Sequence, residues 1–173
     1  MDSVILVSSH LLVLIIGAGI AVGCSYLFRS DGAGTGIARE QAARRLALLE
    51  EVALQTGQVH HLFQTYIGLL IEAARKQPGL TSSQQEELDA VEQQLHAALD
   101  DLPLADARLL LLNETTLGKV LRLYGNRITQ LRHQQSGGKK DTEEELKNRL
   151  RDINSLRDKF FSSLSDRYGK KLY

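Results

Sequence analysis

Histidines and carboxylates are the side chains of this sequence that could bind a metal or move protons. His60 and His61 are adjacent, but neighbouring positions on a helix point about 100° apart, so the two imidazoles cannot chelate one ion. The chain contains neither a His-Glu-x-x-His nor a Glu-x-x-His pattern. His96 follows Glu92 by four residues, a spacing that favours a surface pair on a helix. We therefore predict no metal site and no cofactor.

A polar cluster, Asn113-Glu114-Thr115-Thr116, follows the four leucines at 109–112. One interpretation is a buried hydrogen-bonding cluster. We favour the other, a solvated face, because glutamate is usually exposed. A single glutamate with no nucleophile in reach does not indicate catalysis, and the chain has no Walker loop, nucleophile-elbow serine or paired-carboxylate motif. We predict that the protein is not an enzyme.

Basic and aromatic side chains alternate near the C-terminus, a composition that suits phosphate-rich partners. Acidic residues in the same segment offset much of the charge, so we expect a solvated, ion-paired helix and no nucleic acid partner. The residues that we predict to contact a protein partner here are Phe160, Phe161, Arg157 and Tyr168.

The segment from Val4 to Phe28 has no ionisable residue except His10, and about 20 apolar residues are enough to cross the hydrocarbon layer of a bilayer. We predict that residues 1–29 form a single-pass transmembrane anchor. Asp2 precedes the segment, whereas several arginines follow it: Arg29, Arg39, Arg44 and Arg45. This asymmetry predicts a cytoplasmic C-terminal domain. A bacterial inner membrane and a eukaryotic organelle both fit this topology.

Small residues in the anchor admit other interpretations. Residues 21–24, Ala-Val-Gly-Cys, resemble the lipobox of bacterial lipoproteins, but no Lys or Arg precedes Val4 as in a signal peptide. The glycines resemble a dinucleotide-binding turn, but their Gly-x-Gly-x-x-x-Gly spacing is one residue too long.

Small residues four apart instead allow two helices to pack closely, with a lipid-facing surface as the alternative. The residues predicted to pack against a second copy or another membrane subunit are Gly17, Gly19, Ala21 and Gly23.

The composition of the chain favours a helix bundle. Hydrophobic residues make up 43% of it and aromatic residues only 5%, so leucine and alanine must fill the core. Lys plus Arg and Asp plus Glu both number 21, so no net charge attracts nucleic acid. The single cysteine, Cys24, excludes an intramolecular disulfide and a cysteine-based zinc site.

Apolar residues recur at helical spacing after the anchor. The fold class predicted is all-α, one N-terminal transmembrane helix followed by a soluble bundle of about four helices. The predicted organisation after the anchor is a flexible tether at 30–36, a three-helix antiparallel core at 37–135, a linker at 136–140 and an amphipathic helix at 141–173. Within the core, we predict helices over 37–77, 82–102 and 104–134.

Charge divides the predicted helices. Residues 78–102 carry six acidic side chains and no Lys or Arg, whereas basic residues outnumber acidic ones in 104–134, so the two helices could pair through complementary fields. Broad apolar faces without catalytic groupings favour a membrane-anchored adaptor or scaffold that recruits a protein partner. The alternative is a ligand sensor or an enzyme with an inter-helix site that includes His60, His61 or Glu114.

Overall fold

The computed structural model describes residues 36–75, 80–137 and 141–169, all in helices or the turns between them, with no strand in these ranges. The chain divides into two units, Met1–Ala42 and Ala43–Tyr173. Of the first unit, only residues 36–42 are described, and the packing reported below belongs to the second. The predicted anchor, its small residues Gly17, Gly19, Ala21 and Gly23, and residues 30–35 of the predicted tether lie outside the described residues.

Five helices make up the described part of the chain. They are α1 (Gly36–Arg75), α2 (Ser82–Asp100), α3 (Leu102–Leu111), α4 (Thr115–Ser136) and α5 (Glu143–Gly169). None of these five helices is long and apolar enough to cross a bilayer. The prediction of an all-helical bundle is confirmed for the described residues.

Helix α1 is a single helix of 40 residues. The sequence shows two adjoining apolar faces, and both are used: Leu49, Val52, Phe63 and Ile67 are all buried. Such a wide buried face lets one long helix pack against several shorter ones. The core residues of α1 therefore run along most of the bundle.

The predicted third helix, 104–134, is wrong as a single helix, because it breaks between Leu111 and Thr115. Asn113 adopts a left-handed backbone conformation with φ 58°, which asparagine tolerates better than most residues. The turn is closed by backbone hydrogen bonds from the Asn113 amide to the Leu110 carbonyl (2.9 Å) and from the Glu114 amide to the Leu109 carbonyl (2.8 Å). Helix α3 can consequently fold back onto α4.

Two glycines of α4 allow α3 to approach it closely. A Cβ atom on Gly118 would lie 2.7 Å from the Asp106 Oδ1 atom, and one on Gly125 would lie 2.9 Å from the Leu102 Cδ1 atom. Both distances are shorter than a van der Waals contact. Because the glycines are seven residues apart, they lie on the same face of α4.

Reciprocal capping bonds fix where α2 and α5 begin. Thr81 and Gln84 form a capping box at the start of α2. At the start of α5, the Thr142 amide donates to Glu145 Oε2 (2.8 Å), while the Glu145 amide donates to Thr142 Oγ1 (3.3 Å). Such boxes satisfy amides that have no partner within the helix.

Helix α5 packs against α4. Its buried side chains, Leu146, Ile153, Phe160 and Leu164, recur at helical spacing on one face. Arg75 at the end of α1 donates from Nη2 to Glu143 Oε1 (2.6 Å), and Lys147 lies equally close to the same oxygen. These cations hold the pKa of Glu143 down at about 2.

Candidate functional site

A hydrogen-bonded network around His60 joins three helices inside the bundle. His60 Nδ1 lies 3.2 Å from the hydroxyl of Tyr124 on α4, and His60 Nε2 lies 3.1 Å from the amide nitrogen of Gln64. The same amide donates to Asn154 Oδ1 on α5 (3.0 Å). With Gln64 donating to Nε2, the proton of the neutral imidazole is on Nδ1, facing Tyr124.

The environment of His60 favours its neutral form. Burial lowers its pKa to about 4, and the positive charge of Arg157 acts in the same direction. Burial also raises the pKa of Tyr124 far above its usual value. At neutral pH the network is therefore uncharged, and it specifies how α1, α4 and α5 meet.

His61, which the sequence grouped with His60, is exposed on the opposite side of α1 from the core. The two histidines are not brought together, as the 100° rotation between neighbours requires. Among the described residues, no group of three or more His, Cys, Asp or Glu side chains is placed to hold a metal ion.

A second cluster surrounds Glu114, at the turn between α3 and α4. Glu114 is only 5% exposed, and its carboxylate forms ion pairs with Arg45 of α1 and with Arg167 of α5, the latter at 3.0 Å. Arg45 also donates to the Leu112 carbonyl (3.3 Å). The cluster ties the α3–α4 turn to Arg45 of α1 and to the end of α5.

The expectation that Glu114 lies on a solvated face is therefore wrong. Two arginines distant in the sequence compensate the cost of burying its charge. Nothing within the local sequence could have signalled this, since Arg45 and Arg167 lie 69 and 53 residues away. The carboxylate is engaged by cations of the same chain and has a structural role.

The residues predicted to contact a partner on the last helix lie in different environments. Phe160 is fully buried in the core, and Phe161 packs partly against it. The Phe161 ring meets that of Phe160 edge to face at 5.4 Å, and the Arg157 guanidinium lies 5.7 Å from its centroid. Tyr168 is half-buried against the core. Phe160 thus stabilises the bundle itself, and the other three offer only part of their surface.

Helix α2 presents an exposed acidic face. Its exposed carboxylates are Glu86, Glu87, Asp89 and Asp100, and Asp101 follows at the helix end. Glu92, which is half-buried, is the acidic residue of α2 that reaches α4, through Arg132 (3.4 Å) and Ser136 (2.8 Å). The predicted pairing of acidic and basic helices is thus confined to Glu92, and the remaining carboxylates of α2 face solvent.

A shallow groove of about 320 Å³ lies between α4 and α5. Leu123 and Arg127 of α4 line one side, while Leu156 and Lys159 of α5 line the other. Leu123 is 45% exposed. The groove is open and mixed in polarity, which fits a surface contact better than an enclosed ligand site.

The outer face of α3 is apolar. Its residues Pro103, Leu104, Ala107, Leu110 and Leu111 are all exposed. The two charged residues of the helix point sideways: Arg108 contacts Glu51 (3.0 Å) and Gln55 (2.8 Å) of α1, and Asp106 accepts from Arg122 of α4 (2.7 Å). Helix α3 therefore lacks the polar outer face that is usual for a surface helix.

Comparison with known proteins does not add to these observations. No family model, no curated protein and no solved structure matches the chain significantly.

Proposed function

We propose that the protein is a single-pass membrane-anchored adaptor, whose helical bundle positions a protein partner at the membrane surface. The observation that carries the proposal is the segment Val4–Phe28, which is long enough to span a bilayer and precedes a bundle with its own core. The asymmetric distribution of arginine supports a cytoplasmic bundle. Self-association through the anchor glycines remains part of the proposal.

The acidic face of α2 is the surface that we assign to the partner. Its carboxylates project from a helix that has no Lys or Arg of its own. A basic partner surface would complement it, and such complementarity mainly sets partner choice and association rate. The partner is thus expected to present lysines or arginines on a helix or loop.

Fewer residues of α5 are available for a partner surface than the sequence alone predicts. Because Leu146, Ile153, Phe160 and Leu164 are core residues, removing α5 would expose the bundle interior and test folding as well as binding. Arg157, Phe161 and Tyr168 can contribute to a partner surface only with their exposed parts.

Crosslinking in intact membranes, followed by affinity purification and mass spectrometry, tests the adaptor function. The variant Glu86→Gln/Glu87→Gln/Asp89→Asn removes three charges from α2, and Glu144→Gln/Asp152→Asn/Asp166→Asn removes three from exposed positions of α5. We expect a specific protein partner with the native chain and the α5 variant, and its loss with the α2 variant. Recovery of no protein above background, or equal recovery with all three chains, would contradict this assignment.

An inter-helix ligand site is the second candidate function, but less supports it. His60 and Glu114, on which it depends, bind other side chains of the same bundle. Native mass spectrometry of the purified full chain would favour this alternative if a small molecule were retained at one per chain.

A further inference from the structure

The outer face of α3 carries an exposed leucine patch, which we define as Leu104, Leu110 and Leu111. Leu111 is 82% exposed, and the other two leucines are about half exposed. At the edge of the patch towards α1, Arg108 of α3 pairs with Glu51 and Gln55. The patch therefore lies on one helix and is bordered by a charged pair.

The size of the patch argues against a stable protein interface formed by it alone. Three exposed leucines with the adjoining Pro103 and Ala107 amount to roughly 300 Å². A stable complex buries about 800 Å² on each partner. A small apolar surface suffices, however, where another part of the same molecule already holds it close to its target.

The length of the chain limits how far this patch can lie from the predicted anchor. Arg45 binds the Leu112 carbonyl and Glu114, so the α3–α4 turn, which directly follows Leu111, lies beside Arg45 of α1. Residues 29–44 separate Phe28 from Arg45. Of these, the helical part 36–44 spans about 14 Å, and the seven residues 29–35 span at most about 25 Å. The leucine patch is consequently within reach of the bilayer that would hold Val4–Phe28.

We propose that the leucine patch inserts into the bilayer surface, where it forms a second, interfacial contact between the bundle and the membrane. This inference rests on the proposed membrane anchoring. Apolar faces of interfacial helices are buried about 5–10 Å into the boundary between headgroups and acyl chains. The bundle would then present its remaining faces to protein partners.

Fluorescence quenching by lipids tests the proposal on the full chain. In a Cys24→Ala background, the single variants Leu111→Cys and Ser162→Cys carry an environment-sensitive fluorophore in phosphatidylcholine vesicles with nitroxide-labelled lipids. Ser162 is an exposed control on α5. Helix α4 separates it from α3, because α3 packs at Gly118 and Gly125, whereas the groove to α5 is lined by Leu123 and Arg127.

We expect quenching at position 111 that corresponds to a depth of about 5–10 Å, and no quenching at position 162. A chain that resists alkaline extraction but shows no quenching at 111 would overturn the lipid contact and leave the anchoring intact. The probe at 111 could instead become buried as the protein concentration rises, without quenching by lipid. That result would also overturn the lipid contact, because it would show that the patch binds a second copy of the chain. A chain released by alkaline extraction would overturn the anchoring and this contact together.

Discussion

At the residue scale, the polar groups inside the bundle determine how its helices meet. The cost of burying His60 and Glu114 is compensated in different ways. His60 stays neutral and shares hydrogen bonds with Tyr124 and Gln64, whereas Glu114 stays beside two arginines. Both arrangements require partners from several helices, so each polar residue adds to the specificity of the packing.

The lowered pKa of His60 predicts an acid-sensitive fold. The unfolded chain binds a proton near pH 6.5, but the folded chain does so only near pH 4. The free energy of unfolding is therefore highest above pH 6.5, and it decreases as the pH falls from 6.5 towards 4. We expect a loss of about 1–2 kcal/mol in the free energy of unfolding, reduced by the partial exposure of the ring.

Urea unfolding of the full chain in mild detergent between pH 4 and 7, followed by circular dichroism, measures this loss. His60→Gln should flatten the pH dependence, while His61→Gln, at an exposed position next to it, should leave it unchanged. An identical pH dependence in both variants would show that His60 is not the responsible group.

The ion pairs of Glu114 predict a stability effect that depends on charge. Glu114→Gln keeps the size of the side chain but removes the charge that Arg45 and Arg167 bind. Because both arginines are partly exposed, they can be rehydrated, and we expect a loss of about 1–2 kcal/mol. Glu86→Gln, on the exposed face of α2, should change stability by less than about 0.5 kcal/mol. Equal effects of the two substitutions in urea unfolding would contradict the role of Glu114.

At the element scale, the sequence predicts helices better than it predicts their ends and contacts. The spacing of Leu117, Leu121, Tyr124 and Ile128 identifies the face of α4 that is buried. The sequence does not show the break before α4, because leucines surround it and because its stability comes from a left-handed Asn113 and from arginines far away in the sequence. In one continuous helix, Leu110 would lie on the same face as Leu117 and Leu121, but the chain turns back at Asn113 and Leu110 is exposed.

The close approach of α3 and α4 predicts opposite effects of the same substitution at two glycines. Gly118→Ala places a Cβ atom 2.7 Å from Asp106 Oδ1, an atom held by Arg122. Either the Asp106 side chain must leave Arg122 or α3 must shift, and we expect a loss of about 1–3 kcal/mol. Gly57 has nothing within 4 Å of the same position, so Gly57→Ala should stabilise α1 by about 0.5–1 kcal/mol. Thermal unfolding of the two variants compares them directly. Stabilisation by Gly118→Ala would contradict the tight packing of α3 on α4.

At the scale of the whole molecule, a proposed membrane anchor precedes a bundle whose faces differ. We assign the acidic face of α2 to a basic protein partner and the leucine patch on α3 to the bilayer surface. The sequence alone predicts the anchor and shows that the second helix is acidic. It does not reveal the leucine patch, because only the folded chain separates exposed leucines from those in the core.

Alkaline extraction of membranes tests the anchoring, on which both assignments depend. The full chain is compared with Ile15→Arg/Ile16→Arg, which places two charges within the apolar segment at a cost of about 2.5–3.5 kcal/mol each. A matched variant, Ser162→Arg/Ser165→Arg, places two charges on exposed positions of the bundle outside the leucine patch. We expect the native chain and the bundle variant to stay in the membrane pellet and the anchor variant to be released. Release of the native chain, or retention of the anchor variant to the same extent, would contradict the proposed anchoring.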